Sequence, residues 1–141
     1  MESRRLLVVG CGFPQLGLIR FAKEQGLTVV GLDANPRAVG VALCDAFVEA
    51  STTDVDAICG AGADGITTCG SEHALLPTAE ACARLGLPFY SPPERIRTCQ
   101  EKQHMRAALD GTGVSPSWRE VHAVDEAAAF VAEQGLPVVC Q

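Results

Sequence analysis

Residues 10–17, Gly-Cys-Gly-Phe-Pro-Gln-Leu-Gly, are the stretch of this 141-residue sequence whose types and spacing come nearest to a chemical function. Three glycines follow an apolar run and precede a helical pattern, and Asp33 closes the next apolar run 23 residues after Gly10. In a dinucleotide fingerprint, glycines so placed let a pyrophosphate reach a helix N-terminus, and the later acid binds the ribose. The spacing here departs from that pattern. The third glycine would fall at position 15, where Gln15 stands, and Pro14 removes a backbone N–H that could face a phosphate. Three readings remain: a nicotinamide dinucleotide site, which the spacing disfavours; glycines that only permit a tight strand-to-helix turn; and a site for another small ligand. Asp33 is open in the same way, as a ribose acid or as a turn acid ahead of Asn35-Pro36.

The seven cysteines (11, 44, 59, 69, 82, 99 and 140) form no C-x-x-C pair, and an odd count suits neither a disulfide framework nor a zinc site. Most read as small buried thiols, with Cys11 and Cys69 set apart by their place in loops after strands. His73, His104 and His122 are dispersed, so neither a catalytic constellation nor a metal site is expected. Eleven Lys and Arg against 17 Asp and Glu give a net charge of -6, which disfavours a nucleic-acid surface. No apolar stretch approaches the length of a membrane span, and no signal peptide opens the chain. A cytoplasmic protein with a small-molecule substrate is expected, with self-association left open.

The elements that must position these residues follow from the apolar pattern. Residues 4–10 and 27–33 are continuous apolar runs, the signature of strands buried on both faces. A helix is expected from about residue 14 to 25, stopped by Gly26, and a short helix after the turn at 34–37. Strands are expected at 45–51, 64–70 and 87–91, with a short helix at 52–63. Another helix is expected over 72–86, capped by Ser71 and interrupted at Pro77. Strands alternating with helices predict an open, doubly wound parallel sheet over 1–91, a Rossmann-like α/β fold with helices on both faces. Ligands would then sit at the C-terminal ends of the strands, at residues 10–17, 33–37, 51–54 and 70–72. Residues 92–100 read as a linker. Beyond it, a helix at 101–113, a strand at 115–123, a helix at 125–135 and a strand at 136–140 read as the start of a second unit, 101–141.

Three segments in order, VVGCGFPQLGLIRFAKEQGLTVVGLDANPRA, GITTCGSEHALLPTAEACARLGLPFYSPPERIRTCQEKQHMRAAL and GLPVVCQ, resemble the amino-terminal part of an ATP-grasp ligase. That family includes biotin carboxylase, the large subunit of carbamoyl phosphate synthetase and D-alanine–D-alanine ligase. The resemblance covers nearly the whole chain. It implies a pre-ATP-grasp domain that helps bind the acceptor or carboxylate substrate and uses no nicotinamide. By carry-over, Gly10, Cys11, Gly12, Phe13, Gly70, Ser71 and Glu72 would border the substrate pocket. Glu72 is equally readable as a first-turn helix acid favoured by the macrodipole.

The family's K..MR helix is met here as EKQHMRAAL, which places Lys102 in an ATP-binding role; without that context it reads as a solvated helix lysine. The segment GLPVVCQ is similar to a family strand whose lysine contacts the ATP phosphates, and in register Gln141 takes the lysine position. A neutral amide supplies no charge there, so weaker nucleotide binding is implied. The resemblance thus implies a fragment of a ligase that activates a carboxylate as an acyl phosphate with ATP and Mg²⁺. The family's Mg²⁺ ligands lie later in the chain, so no turnover by these 141 residues alone is expected. The other reading is a stand-alone Rossmann-like module that binds a nucleotide or metabolite without catalysis.

Overall fold

A computed structural model describes residues 3–140, which divide into two compact units, one up to Arg97 and one from Thr98. In the first, four strands, β1 (Arg5–Val9), β2 (Thr28–Asp33), β3 (Ala46–Glu49) and β4 (Gly65–Thr67), form one sheet in the order β3-β2-β1-β4, every pair parallel. Leu7 lies opposite Val30 and Ile66, so the two central strands share one register across the sheet.

Alternation along the strands sends side chains to two separate cores. Leu7, Val9, Val30, Leu32 and Ile66 pack with Ile58 of helix α2 (Val55–Gly60) and with Ala74, Ala81 and Cys82 of helix α3 (Glu72–Leu85). Val8 and Val29 face the other way, onto Ile19 and Ala22 of helix α1 (Leu16–Glu24). Helices on both faces bury Leu7–Val9 and Val29–Leu32 of the central strands, which is why β1 and β2 carry apolar runs. Each fully buried Leu, Ile or Val of this kind contributes about 1.5–3 kcal/mol relative to exposure.

Two helices return to the sheet by the same device. At the end of α1, Gly26 N bonds Lys23 O at 2.9 Å and Leu27 N bonds Ala22 O at 3.2 Å; at the end of α3, Gly86 N bonds Ala83 O and Leu87 N bonds Cys82 O. Both are the paired bonds of a Schellman close, with the following leucine packed against a core cluster. Helix α3 runs unbroken through Pro77. The proline removes one donor, but Ala74, Thr78, Ala79, Ala81 and Cys82 are buried around it, and the Thr78 hydroxyl bonds Ala74 O at 2.6 Å. Packing outweighs the lost bond.

Several sequence expectations need correction. Residues 34–40 form turns and no helix, because Asn35 N donates to Asp33 Oδ1 at 2.9 Å and Arg37 N to Asn35 Oδ1 at 3.0 Å. Those side-chain acceptors hold the backbone amides that a helix would need. Residues 87–91 form no fifth strand. The Leu87 amide is taken by Cys82 and Pro88 has none to give, so Leu87 and Phe89 reach the core without joining a ladder. Residues 93–100, expected within a linker, are helix α4 (Pro93–Gln100) with Ile96 buried.

The second unit holds α5 (Lys102–Ala108) and α6 (Val124–Gln134). Glycine turns follow α5, as expected, but neither 115–123 nor 136–140 is a strand. Each carries a proline, at 116 and 137, and neither has a ladder partner among the described residues, so alternation alone could not make a sheet. No helix among the described residues is long and apolar enough to cross a membrane.

One polar bracket ties α1 to the sheet. Asp45 accepts Val29 N at 2.8 Å and pairs with Lys23 Nζ at 2.5 Å, and these contacts, the lysine's first, hold its carboxyl below the ordinary value. The pair is 40% exposed on each side, so solvent screens it. Asp45→Asn should therefore cost about 0.5–1 kcal/mol at neutral pH. A depressed carboxyl contributes fully above its unfolded pKa, about 3.9, and the contribution is lost as pH falls through the lower folded value. Urea melts of both proteins should accordingly differ at neutral pH and converge in strong acid; an equal gap at both would show that charge is not the cause.

Candidate functional site

The C-terminal ends of β1 and β4 build one edge. Gly10 N donates to Leu32 O at 2.7 Å, and Cys11 N donates to Asp33 Oδ2 at 2.7 Å. Asp33 therefore spends one oxygen on the β1 loop and the other on Asn35, the work of a turn acid. Gln15, where the fingerprint would have its third glycine, is 3% exposed. Its Nε2 donates to Cys69 O, and a Cβ on Gly10 would meet its amide carbon at 3.3 Å. The residue that breaks the fingerprint is thus the one that joins the β1 loop to the β4 loop.

Further contacts lock the two loops. The buried Thr68 hydroxyl donates to Val9 O at 2.7 Å, and Cys69 Sγ lies 3.4 Å from Pro14 O. Gly70 adopts φ +62°, and a Cβ there would collide with Pro14 Cβ. Only glycine satisfies both demands. Of the amides in residues 10–15, those of Gly10, Cys11 and Gln15 are bonded and Pro14 has none, which leaves Gly12 and Phe13 to face a ligand. Two amides cannot cradle a pyrophosphate as a full glycine loop does.

Among the expected substrate residues, Gly10, Gly12 and Phe13 share this edge with Gly70. Phe13 is 77% exposed, an apolar ring held out at the rim. Cys11 is completely buried, so only its backbone belongs to the edge. Ser71 stands at the N-cap position of α3 in extended conformation but makes no side-chain capping bond, and Glu72 is the first, exposed residue of the helix. Sequence reasoning missed Gln15. The only signal for it was a long polar side chain in a loop of small and apolar residues.

Lys102 lies in the second unit, at the first position of α5 and exposed. It lines a groove of about 920 Å³ with Arg106, Arg119, Trp118, Phe130 and Val138. Arg106 lies one turn along the same helix, and Arg119 sits 5.1 Å from the Phe130 ring centre while pairing with Glu133 at 2.7 Å. Cations beside flat aromatic rings suit a phosphorylated ligand with a planar base. Gln141 lies outside the described residues. Among the described residues, no group of three or more His, Cys, Asp or Glu is placed to hold a metal ion.

The buried amide of Gln15 gives a direct check on this edge. Gln15→Ala should lower stability by about 1–2 kcal/mol, because the Cys69 carbonyl loses its donor in a dry loop. Denaturant melts would read the change, and a neutral substitution would mean that the bridge is incidental.

No protein-family model matches the sequence, and the curated proteins hold no detectable relative of it. Solved structures do resemble it. Phosphoribosylglycinamide synthetase from Anaerococcus prevotii superposes with a TM-score of 0.77 at 24% identity, over 96% of this chain and 36% of that one. Carboxyaminoimidazole ribonucleotide synthase from Aspergillus clavatus, complexed with ATP, gives 0.75 at 24% identity, over 96% and 36%. The biotin carboxylase domain of a single-chain bacterial carboxylase gives 0.72 at 22% identity, over 94% and 35%. The chain spans about a third of the length of these enzymes. The neighbours are ATP-grasp ligases, the family whose resemblance the sequence carries. The likeness is one of fold: about a third of each of these enzymes shares the fold of this chain.

Proposed function

We propose that this chain is the amino-terminal, substrate-side portion of an ATP-grasp carboxylate–amine or related ligase acting in the cytoplasm. The observation that carries the reading is the fold likeness to enzymes of that kind over 96% of the chain, one of them holding ATP. Within this reading, residues 10–13 and 70–72 border the small-molecule substrate. Phe13 offers an apolar wall, the amides of Gly12 and Phe13 offer donors to a carboxylate, and Glu72 accepts from an amine or hydroxyl.

Lys102 and Arg106, one turn apart, present two positive charges to the groove, which suits the phosphates of ATP; Trp118 and Phe130 suit its base. ATP supplies the phosphoryl group that activates the carboxylate as an acyl phosphate. Among the described residues no group of three or more His, Cys, Asp or Glu is placed to hold a metal ion, so no residue and no step are assigned to Mg²⁺ here.

Calorimetric titration with Mg·ATP and a phosphate-release assay test the proposal together. Lys102→Ala should weaken ATP binding about tenfold, a loss of roughly 1.4 kcal/mol; unchanged affinity would remove Lys102 from the site. The chain alone should release no phosphate with a panel of acids and amines, and steady turnover would overturn the substrate-side reading. Tight ATP binding with no contribution from Lys102 would favour a stand-alone nucleotide-binding module.

A further inference from the structure

Beneath the edge loop, Cys11 and Cys44 meet across a strand that has no side chain between them. Gly31, in the middle of β2, faces both: a Cβ built on it would stand 2.7 Å from Cys11 Sγ and 2.7 Å from Cys44 Sγ. The sulfurs therefore lie within twice that distance of each other. Gly40 closes the other side, its N–H donating to Cys11 O at 2.8 Å while its carbonyl lies 3.4 Å from Cys44 Sγ. The glycines let both cysteine backbones come close. Packing alone would be served as well by alanine and valine.

The two thiols differ in a useful way. Cys11 is completely buried, whereas Cys44 is partly exposed at the end of the short 3-10 helix Val41–Leu43. The neighbouring Cys11 sulfur draws the Cys44 thiol down, against its own burial and Asp45 and with Lys23 adding, while the neighbouring Cys44 sulfur and burial push Cys11 up. Cys44, the less buried of the two, is the sulfur that a reagent reaches first.

We propose that Cys11 and Cys44 are an oxidative modification site, a dithiol that closes to a disulfide across Gly31 in exchange with a low-molecular-weight disulfide such as glutathione disulfide. The Cys44 thiolate attacks one glutathione sulfur, the glutathione S–S bond breaks, and one glutathione thiolate leaves and takes a proton. Cys11, giving up its proton, then attacks Cys44 Sγ and displaces the second glutathione. Two protein thiols and one glutathione disulfide become one protein disulfide and two glutathione thiols, so atoms and electrons balance. Because the Cys11 amide is held by Asp33 and its carbonyl by Gly40, the new bond clamps the edge loop to the 40–44 segment. The inference is independent of the ligase reading.

The test uses the whole chain carrying Cys99→Ser and Cys140→Ser, which removes the two exposed thiols. After equilibration with glutathione disulfide and alkylation, digestion at arginine and at the acidic residues between 45 and 56 separates Cys44 from Cys59. The expected result is a Cys11–Cys44 linked peptide, a protein lighter by two hydrogens, reversal by dithiothreitol, and amide exchange at Gly12 and Gly40 slowed at least about tenfold. A Cys44→Ser variant should leave Cys11 reduced and alkylated only in denaturant. Stable glutathione on Cys44, alkylation of both thiols, or a Cys59–Cys82 link in their place would each overturn the proposal. These readouts need no ATP or turnover, so their failure is distinct from failure of the proposed function.

Discussion

The Asp33 carboxylate takes two backbone amides, Cys11 N from the loop after β1 and Asn35 N from the loop after β2. Parallel strands carry their ladder bonds only as far as the strands run, and beyond their ends each loop must find partners of its own. Asp33 supplies them for both loops at once. Gly10 can then reach Leu32 O, and Gly40 can reach Cys11 O, so the 10–17 and 34–44 segments become one structure. On the other side Gln15 and Thr68 do the same for the β1 and β4 loops. Side chains thus complete the hydrogen bonding that the ladders leave open at this edge.

That solution has a chemical consequence. A loop that receives a pyrophosphate keeps its amides unbonded and its acid open until the ligand comes. Here the acid and most of the loop amides are already satisfied by the protein, and Gln15 fills the space beside Gly10 and Gly12. The same kind of sheet and glycine turn that elsewhere binds a dinucleotide here leaves only the amides of Gly12 and Phe13 without a partner in the loop. Fold and ligand are separable, and only the site decides between them.

Much of this was legible in the sequence where the signal is local or repeated. Continuous apolar runs marked β1 and β2, and periodicity with a glycine stop marked α1 and α3, because burial and capping act within a few residues. The segments 87–91, 115–123 and 136–140 misled for one reason. Alternation reports that a chain has two faces, but a strand exists only beside another strand, and prolines at 88, 116 and 137 remove the donors that pairing needs. Gln15 was illegible because its partner, Cys69, is 54 residues away. The Cys11 and Cys44 pair was hidden in the same manner: Cys44 looked like an ordinary buried thiol, Cys11 stood out only by its loop, and only the placement of Gly31 brings them together.

Charge completes the division of labour between the units. In the first, Lys23, Arg84 and Arg97 are each paired with a carboxylate, on Asp45, Asp56 and Glu80. Cations neutralised in this way add little attraction for an anion, since the partner carboxylate cancels the field a few ångströms out. In the second, Arg119 is paired with Glu133, whereas Lys102 and Arg106 line the groove and have no carboxylate partner among the described residues. Under the proposed reading Lys102 and Arg106 are the cations of that groove left to meet an anion, whereas the 10–15 loop offers only the amides of Gly12 and Phe13.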